Sequence, residues 1–562
     1  MTDNTNTIDP KKVALQIRER MNKAGKISDN ELVEKEKNEE IESRQEKLVT
    51  LRDAKKTLKE KIEQLRQESY DTAYQKALAQ FEESEADSQE IEAECRTKVE
   101  KARKRATPKT PLQVARFLMR YIYFVRIKTA GHNQKPPLYF YDPDNGGYIE
   151  DEELLRDFIQ VVNPELTEKQ ATEVIYKIRR DTDTKKVELA YTAFGNCLYN
   201  AKTEETQDFT PDIIVTRKIK TNFNNQAIEP NINSWTFRAW LADLFDGDDE
   251  QYRLAIQMIK ASVTGSSLNN LFWLHGTGGT GKGTLQQLII NIVGDENIAS
   301  LKINELHGNR FATSQLLGKS VVIGDDVQEG VKIEDTSTMF SLTTGDPITI
   351  EEKGKKPYSL RLNMTVIQSS NGFPNMVGDV HAIGRRFRVL EFSSSFKGKP
   401  NKAIKKDYIN RQEVLEYVVR LALETPTEDI DPQVSQEILG EFQEDINPVL
   451  AFSHAFFTDE LSSEFLPNSF VWYVWRYYLE VNNKTSNKSE NAFHRELSEN
   501  LPKGFSKGVR TIPAGREHHI GFNPASDQPS YVKGQYNNDR HKPEKCKTSK
   551  KERGYFTPSK KN

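Results

Sequence analysis

The sequence predicts an α/β fold: a parallel sheet flanked by helices, with a helical arm, an α+β part and a small C-terminal domain attached. Three observations predict it. The apolar run Leu271, Phe272, Trp273, Leu274 reads as a buried strand, a loop with five glycines follows (Gly276, Gly278, Gly279, Gly281, Gly283), and Leu285 to Val293 carries apolar residues at helical spacing. Lys319 to Asp326 (KSVVIGDD) is a second buried strand, ending in two adjacent carboxylates. Met364 to Gln368 is a third, running into Ser369-Ser370-Asn371.

Strand, glycine loop and helix in that order build a phosphate cradle. Glycines let successive backbone N–H groups turn inward, the new helix offers its positive N-terminus, and Lys282 adds a mobile cation for β and γ phosphates. Read as GxxxxGK, Gly276 to Lys282 is a P-loop, and Gly276, Thr277, Gly278, Gly279, Thr280, Gly281, Lys282, Gly283 and Thr284 are the candidate ATP contacts. A second reading competes, because Gly276, Gly278 and Gly281 also spell GxGxxG. That dinucleotide fingerprint wants an acidic residue about 20 positions on, at the end of a second strand. Near Ser300 and Leu301 no carboxylate follows a strand, and Lys282 would have no task. The position after the lysine, usually Ser or Thr for a magnesium ion, is Gly283, and the hydroxyl arrives at Thr284, rotated by roughly 100° on a helix.

At 562 residues the chain has room for two to four domains and a sizeable core. Its 36% apolar and 29% charged residues fit long polar helices beside that core, and a net charge of −3 excludes nothing because the charge is unevenly placed. Cys95, Cys197 and Cys546 form no CxxC pair, which argues against a zinc ribbon or disulfide framework. No apolar run approaches the roughly 20 residues that span a bilayer, and the start MTDNTNTIDPKK is no signal peptide. The expectation is a cytoplasmic protein without membrane contact.

Residues 1–106 are charged and rich in helix formers. A broken heptad places Ile41, Leu48 and Ile62 on one position and Leu51, Leu58 and Leu65 on another, interrupted by Arg44 and Lys55. A coiled coil, a solvated helix and a disordered charged arm all fit that pattern. A basic cluster, Lys98, Lys101, Arg103, Lys104 and Arg105, closes it. Residues 110–232 read as an α+β domain in which Leu138 to Ile149 forms a hairpin. Its Asp142 and Asp144 make a DxD that could bind metal in a primase or polymerase, although turn chemistry alone accounts for both.

Within residues 233–425, Asp325 is placed to hold a magnesium shell and Asp326 to orient or deprotonate a water, the second element that a P-loop needs. Asp325 and Thr284 are thus the candidate metal ligands. Residues 345–361 read as a hairpin with Lys353, Lys355 and Lys356 at its tip, either solvated edge guards or contacts to a nucleic-acid backbone. Asn371 can hydrogen-bond a γ-phosphate or its water. In Gly384-Arg385-Arg386-Phe387, Arg385 or Arg386 is suited to reach a neighbour's γ-phosphate, which argues for a ring.

These signals, GTGGTGKGT, VVIGDD, the basic hairpin after GDPITI, and VIQSSN followed by GRRFRVLEF, resemble the superfamily 3 helicases. More closely, with FGNCLYNAKTEETQDFTPDIIVTRKI before the ATPase, the chain is similar to the phage, plasmid and poxvirus primase-helicase family over about residues 110–500. The resemblance implies an AAA+ core using ATP and Mg2+ and a homo-oligomer, typically a hexameric ring. It further implies translocation on single-stranded and replication-fork DNA, host or phage replication proteins as further partners, and a bacterial host cell. Carried onto this sequence, Lys282 grips phosphate, Asp325 and Asp326 serve magnesium and water, Asn371 senses, Arg385 or Arg386 is the finger, and Lys353 or Lys355 touches DNA. Where the family often has a primase domain, this chain has its charged arm. Two other functions stay open: a replication initiator using ATP as a switch, and a primase centred on Asp142 and Asp144.

Residues 440–522 alternate aromatic-rich helices (Phe470, Trp472, Tyr473, Trp475, Tyr477, Tyr478) with a polar break, resembling the family's terminal winged-helix-like DNA-binding domain. Residues 523–562 read as a basic disordered tail, the last 32 residues holding ten Lys or Arg against three acids.

Overall fold

The computed structural model describes residues 47–48, 50–81, 97–102, 104–128, 136–265, 268–333, 336–354, 357–376, 384–394, 396, 401–514, 524–533, 536 and 549–558. The chain divides into two compact units, Met1–Asn222 and Phe223–Asn562.

The first unit runs through α1 (Ala54–Phe81), α2 (Pro111–Tyr121), β1 (Phe124–Ile127), β2 (Leu138–Asp142), β3 (Gly147–Ile149), α3 (Glu152–Val162), α4 (Glu168–Asp181) and β4 (Thr184–Lys185). Both α2 and α4 begin with capping boxes, Thr110 with Gln113 and Thr167 with Gln170, which satisfy the first N–H groups. The sheet has the order β3-β2-β1-β4, and β2 and β3 form the expected hairpin, with Asp142 opposite Gly147. Short strands β5 (Tyr191–Ala193), β6 (Leu198–Asn200) and β7 (Glu205–Gln207) make a separate meander.

The broken heptad has another use than a seam for a second chain. Leu48, Leu58 and Ile62 are buried in one core with Leu118, Phe140, Phe158 and Ile175, and Leu51 and Leu65 pack against it. Lys55, the residue that interrupts the pattern, pairs with Asp157 on α3 at 2.7 Å. The apolar stripe of α1 therefore belongs to the same core as α2 to α4. Ile41 lies outside the described residues.

The second unit opens with α5 (Phe237–Leu244) and α6 (Asp249–Thr264), then β8 (Leu271–His275), α7 (Lys282–Val293), β9 (Ile298–Ser300), α8 (Ile303–Gly308) and β10 (Val321–Gly324). After β11 (Lys332–Ile333) and α9 (Ser337–Thr344), the hairpin β12 (Pro347–Ile350) and β13 (Tyr358–Arg361) precedes β14 (Thr365–Ser370), β15 (Asn375–Met376) and β16 (Phe387–Glu391). Five of these strands form one sheet, ordered β16-β8-β14-β10-β9, with every neighbouring pair parallel. Leu271 to Leu274, Val321 to Gly324 and all of β14 are buried, as expected of strands covered on both faces. Helices α10 (Lys402–Lys406), α11 (Gln412–Glu424) and α12 (Gln433–Ile446) follow.

The C-terminal elements are α13 (Pro448–Phe456), β17 (Phe465–Pro467), α14 (Asn468–Val481), α15 (Glu490–Glu499), β18 (Ser506–Ile512), α16 (Pro524–Asp527) and β19 (Lys550–Phe556). Their core holds Phe452, Phe470, Trp475, Phe493 and Tyr555, so most of the aromatic run on α14 packs inward. The reading of 523–562 as a disordered tail is corrected at its end: β19 is the central strand of the sheet β17-β19-β18. Tyr555 is fully buried, and its hydroxyl lies 2.7 Å from His494 Nδ1, a fixed anchor that net basic composition conceals. No helix among the described residues is long and apolar enough to cross a membrane.

Candidate functional site

Parallel strands bring their carboxyl ends to one edge of the sheet, and the candidate residues gather there. Strand β8 ends at His275, the loop turns over 276–281, and α7 begins at Lys282. Two glycines are required by the turn itself. Gly276 has φ +142°, and a Cβ there would lie 2.6 Å from Phe392 O; Gly281 has φ +103°, with Leu244 Cδ2 2.6 Å from where a Cβ would sit. Any side chain at either position would force the loop open. Thr280 is buried, and its hydroxyl donates to Thr277 O at 2.9 Å, so it shapes the loop from within. Thr284 lies in the first turn of α7, its N–H donating to Gly281 O.

Lys282 crosses the mouth of the loop. Its Nζ donates to the carbonyl oxygens of Gly276 and, at 2.9 Å, Thr277, and lies 3.4 Å from Asn371 Oδ1. Burial lowers its pKa, while the charges of Asp325 and Asp326 act in the opposite sense. That places both carboxylates and the lysine in one electrostatic neighbourhood.

Asp325 and Asp326 follow β10 and are exposed. Ser369, on the adjacent β14, holds both: its hydroxyl donates to Asp325 Oδ1 at 2.7 Å and accepts from Asp326 N at 3.0 Å. Asp326 has φ +54°, a left-handed conformation that costs a non-glycine residue of order 1–3 kcal/mol. Lys302 Nζ donates to Asp326 O at 2.9 Å and helps to keep it there.

Asn371 is exposed one residue beyond β14. Phe373 secures the segment, stacking on His275 with centroids 5.3 Å apart, on Trp273 at 5.4 Å and on Phe442 at 4.5 Å. Ser369, Phe373 and His275 escaped the sequence reading. Ser369 had a signal, since it lies in the quoted strand end, but which acid it would meet depends on β14 lying beside β10.

The arginines are elsewhere. Arg385 and Arg386 precede β16, whose Phe387 pairs with Leu271 and whose Glu391 pairs with His275, so they lie beyond the amino end of the same sheet. Arg385 is exposed. Arg386 lies over the Phe340 ring at 4.9 Å, and Arg388 is buried with its Nη2 3.0 Å from Asp429. The 345–361 hairpin forms with Ile350 opposite Tyr358 and Lys353 exposed near the tip, while Lys355 and Lys356 lie outside the described residues.

The DxD is spent on a turn. Asp142 is buried and accepts from Asp144 N, Asn145 N and Asn145 Nδ2, whereas Asp144 accepts from Thr50 Oγ1, Leu51 N and Arg52 N. The Thr50 bond leads in holding the Asp144 pKa below the usual carboxylate range. Carboxylates committed in this way have little left for a metal.

Comparison with known proteins adds two family matches. Residues 274–386, the span from the glycine loop to Arg386, match a family of unknown function (DUF5906), and residues 444–527 match the family described as poxvirus D5 protein-like. The match over residues 444–527 supports the resemblance to the phage and poxvirus type of primase-helicase family. No curated protein matches the chain. Among solved structures, the chain is similar to two apo structures of the NrS-1 C-terminal region. One is 17% identical over 72% of this chain and 88% of that one, and the other 16% over 72% and 96%, each with a TM-score of 0.42. At that score the superposition is loose.

Proposed function

We propose that the chain is an ATP-dependent DNA helicase acting in replication of a phage, plasmid or other mobile element, assembled as a ring, six-membered by family likeness. The observation that carries this is the split across one sheet: Lys282, Asp325, Asp326 and Asn371 converge at its carboxyl edge, and Arg385 stands exposed beyond its amino edge. Numbered by sequence within the sheet, the strand order 5-1-4-3-2 supports an AAA+ core, with the Asn371 strand between the loop strand and the carboxylate strand.

The residues fit a nucleotide. Gly276 and Gly281 sit where a Cβ would collide, and the Lys282 Nζ contacts are to carbonyl oxygens that a phosphate oxygen can replace. Asp325 would hold the water shell of Mg2+, which takes one or two carboxylates plus phosphate oxygens and neutralises phosphate charge. Thr284 is the other candidate for that shell. Lys282 binds the β and γ phosphates, Asp326 orients the attacking water, and Asn371 registers the γ-phosphate. Arg385 of a neighbouring subunit stabilises the charge that develops as the phosphoryl group leaves. Lys353 at the hairpin tip is suited to hold a DNA backbone by charge.

The order helix, strand, helix, helix, strand, one-turn helix, strand over 448–556 supports a winged-helix reading for the C-terminal domain. Primer synthesis at Asp142 and Asp144 is not proposed, given their turn bonding. The test is strand displacement on a forked duplex with ATP. Unwinding that is lost in Lys282→Ala supports the reading, whereas slow turnover without any strand displacement favours an initiator that uses ATP as a switch.

A further inference from the structure

Gly283 stands where P-loops carry a hydroxyl residue, and the space beside it faces a cation from another element. A Cβ on Gly283 would lie 3.8 Å from Lys405 Nζ, the one atom from outside the loop and its helix within 4 Å of that point among the described residues. Lys405 sits on α10 and is exposed, and among the described residues no carboxylate pairs with it. Its place is set by the helix that carries Lys282. Asn291, on α7, donates through Nδ2 to Ile409 O and to Asn410 Oδ1, both at 2.9 Å, and Asn410 Nδ2 donates to Lys405 O at 3.0 Å.

The electrostatics of this placement are unfavourable without an anion. The first turn of α7 presents free N–H groups and the positive end of a helix dipole, Lys282 adds one charge, and Lys405 adds another. A bound polyphosphate turns that repulsion into attraction.

We propose that Lys405 is a second phosphate-contacting cation of this site, recognising the polyphosphate of a nucleoside di- or triphosphate from the flank that Gly283 leaves open. It lies beside the first turn of α7, whereas Asn371 and Asp326 mark the side of the leaving phosphate. Lys405 therefore holds ADP as well as ATP. This inference rests on the nucleotide reading of the 276–284 loop, and the experiment separates the two.

Titrate ADP and ATP into the full chain and into Lys282→Ala, Lys405→Ala and Lys405→Arg, and record melting with and without ADP. Loss of one charge-assisted hydrogen bond predicts that Lys405→Ala weakens ADP and ATP alike by about tenfold, with Lys405→Arg recovering part of it. The melting temperature without nucleotide should not fall in Lys405→Ala, because a repulsion has been removed, while the upward shift produced by ADP shrinks. A merely structural lysine would lower melting and leave the ADP shift intact, and that result overturns the inference. Wild-type nucleotide affinity in Lys405→Ala, with affinity lost in Lys282→Ala, also overturns it and leaves the loop assignment standing. Wild-type affinity in Lys282→Ala overturns the loop assignment itself.

Discussion

The two edges of the five-stranded sheet are built on opposite terms. At the carboxyl edge, polar groups are left unshielded and one backbone is strained: Asp325, Asp326 and Asn371 are exposed, and Asp326 holds φ +54°. At the amino edge, two of three arginines serve packing, Arg386 over Phe340 and Arg388 buried beside Asp429, while Arg385 is exposed and has no side-chain partner among the described residues. From Phe387 to Glu391 is four residue steps of extended chain, roughly 13 Å at about 3.3 Å each, and Arg385 precedes that strand in a helical turn. No side chain spans that distance. The difference teaches that a site made at one edge can use the arginine of the other edge only when two chains meet.

The largest expected effect is at the carboxyl edge. Lys282→Ala should abolish phosphate release and weaken ADP binding, because it removes both the grip on the bound phosphates and a preorganised charge at the reacting one. At the amino edge, Arg385→Ala should lower turnover by about a thousandfold with ATP affinity within about threefold of wild type, since a finger acts on the transition state. Arg386→Ala should leave turnover within about threefold and reduce stability by about 0.5–1 kcal/mol through the lost ring contact, read by thermal melting. If Arg386 carries the kinetic loss and Arg385 does not, the assignment of the two arginines reverses.

Asp326→Gly sharpens the contrast between strain and packing. Relief of the left-handed backbone should stabilise the protein by about 1 kcal/mol while hydrolysis falls, and a variant both less stable and fully active would contradict the assigned role. Phe373→Ala should cost about 2 kcal/mol, because the side chain is half-buried in an aromatic stack, and should raise the KM for ATP by loosening Asn371. The smallest effect concerns His275, whose pKa burial pushes below its ordinary value of 6.5. A depressed folded pKa means that the stability it contributes is present above the unfolded value and is lost as the pH falls below it. Melting should therefore decline from pH 7 toward pH 5, with a shallower decline in His275→Phe, which keeps the stack.

Much of this site could be read from the chain because its parts are local. A glycine loop between an apolar strand and a helix, or two acids closing a strand, needs no tertiary information, and Lys282, Asp325 and Asn371 were recognisable from a few neighbours each. What required the fold was adjacency. Ser369 bridges Asp325 and Asp326 only because β14 lies between β8 and β10, and Lys405 reaches Gly283 from 122 positions away, as their residue numbers give. The heptad on α1 and the basic C-terminus misled for a shared reason. Periodicity and charge describe a segment's own surface, and neither reveals that Leu58 or Tyr555 has a core waiting elsewhere in the chain.

The most direct measurement is a mixing experiment. Lys282→Ala and Arg385→Ala proteins, each inactive alone, are combined, and phosphate release is followed with DNA present while subunit exchange is confirmed by native mass. Turnover well above the sum of the separate proteins is predicted, because an intact loop in one subunit then meets an intact Arg385 in the next. Activity that stays at that sum in assemblies proven to be mixed would contradict a site completed by a neighbouring chain.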